Sequence, residues 1–288
     1  MCFGVRDAIA LAHREQNHHG ALTILGDLVH NETVLGELRG RGIRMENELD
    51  RVRTDRVMIT AHGAAEQTKE RARARGFALL EATCPLVTVA HQAVAELVQA
   101  GFHPVIIGCR EHVEVRGLTG DLAEFDVVLT EADVRQLRAR PRFGVAAQTT
   151  QPLDRVQRLL AVLREHFPQS EVRFVDTVCR PTKQRQQAAV ELARDCDVVV
   201  VIGGARSNNT AELAATCRRH GARVHQVESA GELRAGWFTD TDTVGLTAGT
   251  STPDATIQAV AEWLHQLAAW QATRNGLSVE PLSLQHHE

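Results

Sequence analysis

Short runs of branched apolar residues alternate along the whole chain with longer segments in which apolar positions recur every three or four residues. ALTILG, HPVIIG and CDVVVVIG are the clearest of the short runs. Each is preceded by a helix-like segment that begins at a cysteine: CFGVRDAIALA, CPLVTVAHQAVAEL and CRPTKQRQQAAVELA. Each is followed by a polar cluster, a second helix-like segment and further apolar runs. Second strands are expected near Gly42–Met45, Asp126–Leu129 and Ala222–Gln226, and third strands in VMITAHG, FGVAAQTT and VGLTAGTS. Another segment and strand, FALLEATC and VRFVDTVC, lead into the second and third cysteines. This alternation predicts an α/β fold with parallel sheets covered by helices.

The spacing is a repeat. Gly26, Gly108 and Gly203 each stand 24 residues after Cys2, Cys84 and Cys179. Four residues beyond these glycines stand His30, His112 and Ser207; six beyond stand Glu32, Glu114 and Asn209. Polar side chains thus recur where each strand ends, the position at which open α/β sheets gather binding groups. His62, Thr149 and Ser251 fall at the ends of the third strands in the same way. The expected architecture is a pseudo-threefold trefoil of three similar parallel-sheet modules around a central cleft. Their expected bounds are 1–83, 84–177 and 178–271, the last including a final amphipathic helix over Thr256–Leu267, with a short polar tail over 272–288. A strand leads into Cys84 and Cys179 but only Met1 precedes Cys2, so the first module is expected to lack its initial strand.

Composition changes this picture little. A net charge of −4 gives no general attraction to nucleic acid or anionic membrane. The Arg71–Arg75 run reads as a helix surface, with no aromatic-rich nucleic-acid motif beside it. No run of about 18 apolar residues occurs, so no membrane span is expected, and a cytoplasmic location is the simplest expectation. Among six cysteines, only Cys2, Cys84 and Cys179 recur at matched positions; Cys109, Cys196 and Cys217 read as ordinary thiols. Three thiolates can hold zinc with one position open, or three irons of a cubane cluster with the fourth iron open, and spacing leaves both possible.

The motifs CFGV, VHNE, AHG, ATCPLVT, EHVEVRG, QTT, DTVC, RSNNTAEL and TAGTSTPD follow one another in order from Cys2 to about Trp263. In this order the chain resembles the 4-hydroxy-3-methylbut-2-enyl diphosphate reductase family, which closes the non-mevalonate isoprenoid pathway. The resemblance implies a trefoil with one [4Fe–4S] cluster held by Cys2, Cys84 and Cys179. It implies two-electron reductive dehydroxylation of (E)-4-hydroxy-3-methylbut-2-enyl diphosphate to isopentenyl or dimethylallyl diphosphate and water. Glu114 would deliver a proton, with His112 and Thr149 around the substrate hydroxyl. His30, His62, Ser207, Asn208, Asn209 and Ser251 would bind the diphosphate, and a ferredoxin or flavodoxin would supply external electrons. Two other functions fit the residues: a related or inactive cluster-binding paralogue acting on another small diphosphate, which would retain the cluster, or a zinc-binding α/β protein with a structural role for the cysteines.

Overall fold

The structure, a computed structural model, describes residues 1–274. In chain order the first stretch contains α1 (Phe3–His19), β1 (Thr23–Leu25), α2 (Glu32–Gly40), β2 (Arg44–Glu46), β3 (Arg56–Ile59), α3 (Glu66–Ala74) and β4 (Ala78–Glu81). The second contains α4 (Pro85–Gln99), β5 (His103–Ile107), α5 (Val113–Thr119), β6 (Asp126–Val128), α6 (Glu131–Arg135), β7 (Arg142–Ala147), α7 (Leu153–His166) and β8 (Glu171–Phe174). The third contains α8 (Arg180–Asp195), β9 (Val198–Ile202), α9 (Asn208–Arg219), β10 (Arg223–Val227), β11 (Val244–Ala248) and α10 (Asp254–Arg274). The final helix runs past the expected Leu267, and from residue 275 the expected polar tail lies outside the described residues.

These strands form three all-parallel sheets, ordered β2-β1-β3-β4, β6-β5-β7-β8 and β10-β9-β11. The three similar parallel-sheet modules read from the sequence are therefore present. The chain divides into two compact units: Cys2–Gln184, which holds the first two sheets, and Met1 with Arg185–Glu288, which holds the third.

The central strands explain why this pattern folds so. All five residues of β9 are buried: Val199 and Val201 enter one apolar cluster with Ala189, Leu213 and Ala214 of α8 and α9. Val198, Val200 and Ile202 enter another with Val260 and Trp263 of α10. Alternate side chains thus pack on opposite faces, which requires a continuous apolar run rather than apolar–polar alternation. The β5 strand repeats the arrangement, with Val105 and Ile107 against α7 and Ile106 against α4 and α5. In α7, Val156, Leu159, Leu160 and Leu163 form the buried stripe at helical spacing that covers the first of these faces. Each such side chain contributes about 1.5–3 kcal/mol by leaving water.

Candidate functional site

In the Cys2–Gln184 unit the carboxyl ends of the central strands and the starts of three helices carry the expected side chains. Cys2 and Cys84 are the N-caps of α1 and α4, and Cys179 immediately precedes α8. Pro85 stands at the first turn of α4, where its missing N–H leaves no helical bond unmade. Gly4 lets α1 come close to Cys84, because a methyl group at Gly4 would meet the Cys84 sulfur. All three thiols are partly buried. Burial pushes the Cys84 and Cys179 thiols up, and both feel the charge of Cys2 and Glu114. The Thr182 hydroxyl lies 3.1 Å from Cys179 Sγ and works against that rise. Thr182 escaped the sequence reading, although its place three residues beyond Cys179 in CRPT suits a hydroxyl at the start of a helix.

Glu114 lies in the first turn of α5 and is 2 % exposed. Thr149, just beyond β7, meets it with two donors: the backbone N–H at 2.6 Å from Oε1 and the hydroxyl at 2.9 Å from Oε2. Both bonds favour the carboxylate, but burial outweighs them and raises the Glu114 pKa from 4.5 to about 7. Thr149 is held in turn by the QTT loop: Gln148 Oε1 accepts from the Cys109 N–H at 3.2 Å and from Gln151 Nε2 at 3.1 Å.

His30, His62 and His112 follow β1, β3 and β5, and their rings meet. The centroids of His30 and His62 stack at 4.6 Å, and His112 stands edge-on at 5.1 Å from His30 and 5.5 Å from His62. One ligand atom from each of the three lies within 4.8 Å of the others. Burial, then the neighbouring His30 and His112, hold the His62 pKa well below its usual value. Burial likewise brings His112 to about 4, with His30 and Arg116 adding to the effect. His112 also caps α5, its Nδ1 accepting from the Glu114 N–H at 3.1 Å.

This geometry corrects the cofactor expected from the resemblance. Among the described residues, the ligand group close enough to share one metal ion is His30, His62 and His112, not Cys2, Cys84 and Cys179. Among the described residues the three histidines, and not the three cysteines expected to hold a [4Fe–4S] cluster, are the candidate metal group.

In the unit that begins at Arg185, Ser207 caps α9 by accepting from the Thr210 N–H at 3.3 Å, and Asn208 and Asn209 occupy the first turn. Asn209 Oδ1 accepts from the Thr250 N–H at 3.0 Å, which ties the start of α9 to the loop carrying Ser251. Asn209 Nδ2 is buried without a hydrogen-bond partner, a donor left for an acceptor such as a phosphoryl oxygen. Thr252 fastens the same loop to β9 through a 2.9 Å bond from its hydroxyl to the Ile202 carbonyl.

No helix among the described residues is long and apolar enough to cross a membrane. The chain matches the LytB protein family over residues 1–265. The 4-hydroxy-3-methylbut-2-enyl diphosphate reductase of Methylibium petroleiphilum is 37% identical over 273 residues, covering 93% of this chain and 83% of the relative. That of Geobacter metallireducens is 34% identical over 268 residues, covering 92% and 94%. The E-1-hydroxy-2-methyl-but-2-enyl-4-diphosphate reductase of Plasmodium falciparum has the same fold, with a TM-score of 0.87 at 24% identity over 92% of this chain and 85% of that one. A solved (E)-4-hydroxy-3-methyl-but-2-enyl diphosphate reductase, described as the terminal enzyme of the non-mevalonate pathway, gives a TM-score of 0.67 at 30% identity, covering 92% and 96%. By the extent of these matches, the chain belongs to the LytB family of diphosphate reductases.

Proposed function

We propose that this LytB-family chain takes a small allylic diphosphate, with the hydroxyl end toward Glu114 and Thr149 and anionic oxygens toward the histidines. The observation that carries the reading is the buried Glu114, whose proton is retained up to about pH 7 and which adjoins the three-histidine group through His112. Hydroxide is a poor leaving group, and an acid holding a proton near neutrality is the group that lets it depart as water. Within the unit that begins at Arg185, Ser207, Asn208, Asn209 and Ser251 are a separate set of neutral donors of the kind that suits phosphoryl oxygens.

The three-histidine group favours a related family member that holds a zinc-class metal ion and binds the diphosphate without reducing it. A second reading is the full reaction named for the relatives: (E)-4-hydroxy-3-methylbut-2-enyl diphosphate plus two electrons and two protons gives isopentenyl or dimethylallyl diphosphate and water. The proton-holding Glu114 favours it. A cytosolic ferredoxin or flavodoxin would then be the electron source.

Anaerobic purification, metal quantification and an assay with a reduced donor and the hydroxy diphosphate separate these readings. Zinc-class metal with diphosphate binding and no product supports the first. Product formation supports the second, and Glu114→Gln should then lower kcat by about 10²-fold or more while diphosphate binding survives. Failure of the metal-free and metal-loaded protein alike to bind the diphosphate in calorimetry would overturn both.

A further inference from the structure

We propose that the starting edge of the second sheet carries a site for a small organic oxyanion, a phosphate or carboxylate group borne on a single ring. A cavity of about 460 Å³ opens there, within the volume range of small-molecule sites. Because β5, β6 and β7 run parallel, their starts share one edge of the sheet, and the ends that lead to Glu114 and Thr149 lie at the other. The cavity shares no residue with the site described above, so the inference stands apart from the diphosphate reading.

One wall is fixed by packing. His103, which opens β5, is 9 % exposed; its ring stands edge-on to Phe143 at 6.2 Å, and its Nε2 lies 2.8 Å from Oδ2 of Asp126, the first residue of β6. Another wall is the segment between α6 and β7, fastened where the Ser170 hydroxyl donates to the Arg140 carbonyl at 2.6 Å. Glu124 Oε2 meets Arg140 Nη2 at 2.9 Å. Both carboxylates of the cavity are thus engaged, whereas the Arg138 guanidinium makes no ion pair or hydrogen bond with any described residue. Its five N–H donors form a planar fork that matches a carboxylate or phosphate, and Arg140 keeps the donors that Glu124 does not use. A surplus of donors beside occupied acceptors selects an oxyanion over a cation. The formal charges of the two arginines and two carboxylates cancel, so a bare anion is drawn weakly. The half-buried Phe125 ring in the cavity wall supplies the apolar face on which a ligand ring adds contact.

Backbone-amide NMR of the full chain, titrated with phenyl phosphate, benzoate and inorganic phosphate against sodium chloride at equal ionic strength, tests the site. At least one of the two ring compounds should shift the His103, Phe125 and Asp126 amides saturably and bind about tenfold or more tighter than inorganic phosphate; the tighter of the two identifies the headgroup. Arg138→Gln should weaken that binding by about tenfold or more. Arg138 is exposed, so the variant keeps the fold, which the unshifted amides of the rest of the chain report. Shifts no different from those of sodium chloride, ring compounds that bind no tighter than inorganic phosphate, or a variant that binds as tightly as the wild type would overturn the site. Shifts at Glu114, Thr149 or Asn209 report on the diphosphate reading separately, so the failure of either leaves the other standing.

Discussion

Replacing Glu114 by Gln tests the environment of the buried acid without reference to activity. Burial raises its pKa from 4.5 to about 7, and at 1.36 kcal/mol per pH unit this difference amounts to about 3 kcal/mol. The folded protein therefore holds a proton that the unfolded chain releases between these two pH values. Its stabilising contribution is fully present below pH 4.5 and is lost as the pH rises to about 7. Glutamine keeps the shape of the protonated acid, and its carbonyl still accepts from the Thr149 N–H, which reaches Glu114 at 2.6 Å. It carries no charge to desolvate. Urea unfolding should find the variant within about 1 kcal/mol of the wild type near pH 5 and more stable by about 3 kcal/mol near pH 8. A gap that stays the same at both pH values, or a variant less stable at the higher one, would refute the argument that burial governs this carboxyl.

Two glycines should respond to alanine in opposite senses. Gly203, at the end of β9, has φ +152°, and a methyl there would collide with the Thr210 hydroxyl and crowd that of Thr252; Gly203→Ala should cost about 1–3 kcal/mol in urea unfolding, and an unchanged midpoint would contradict the packing described. Gly36 lies within α2, and a Cβ there meets nothing within 4 Å; Gly36→Ala should stabilise by about 0.5–1 kcal/mol, seen as a higher melting temperature, and a lower one would mean that the exposed helix face is otherwise engaged.

Much of the fold was legible because its signals are local. The run CDVVVVIG requires a strand buried on both faces, and β9 divides its side chains between two apolar clusters as that pattern demands. Cysteines that open helices, and polar residues four and six positions past Gly26, Gly108 and Gly203, also follow from position along the chain. Strand pairing was less accessible, since a parallel sheet joins segments far apart in sequence; the placement of β9 between β10 and β11 follows from no local spacing. The Gln148–Gln151 contact that props the Thr149 loop was likewise hidden, because buried glutamines have no sequence signature of their own.

The cofactor shows most clearly where repeat reasoning ends. A repeat aligns backbone positions, and Cys2, Cys84 and Cys179 align because each stands at the start of a helix. Sharing an ion requires something else: side chains whose lone pairs reach one point in a protonation state that offers them. His62 follows the third strand of its sheet rather than the strand that leads to Gly26 or Gly108, so no spacing grouped it with His30 and His112. The folded sheets do, and burial then favours the neutral ring at His62 and His112. The same desolvation acts in the opposite sense on the thiols and on Glu114, favouring the protonated form of each. One low-dielectric region thus keeps the imidazoles of His62 and His112 neutral and the Glu114 carboxyl protonated, and His112, bonded to the Glu114 backbone, joins the two groups.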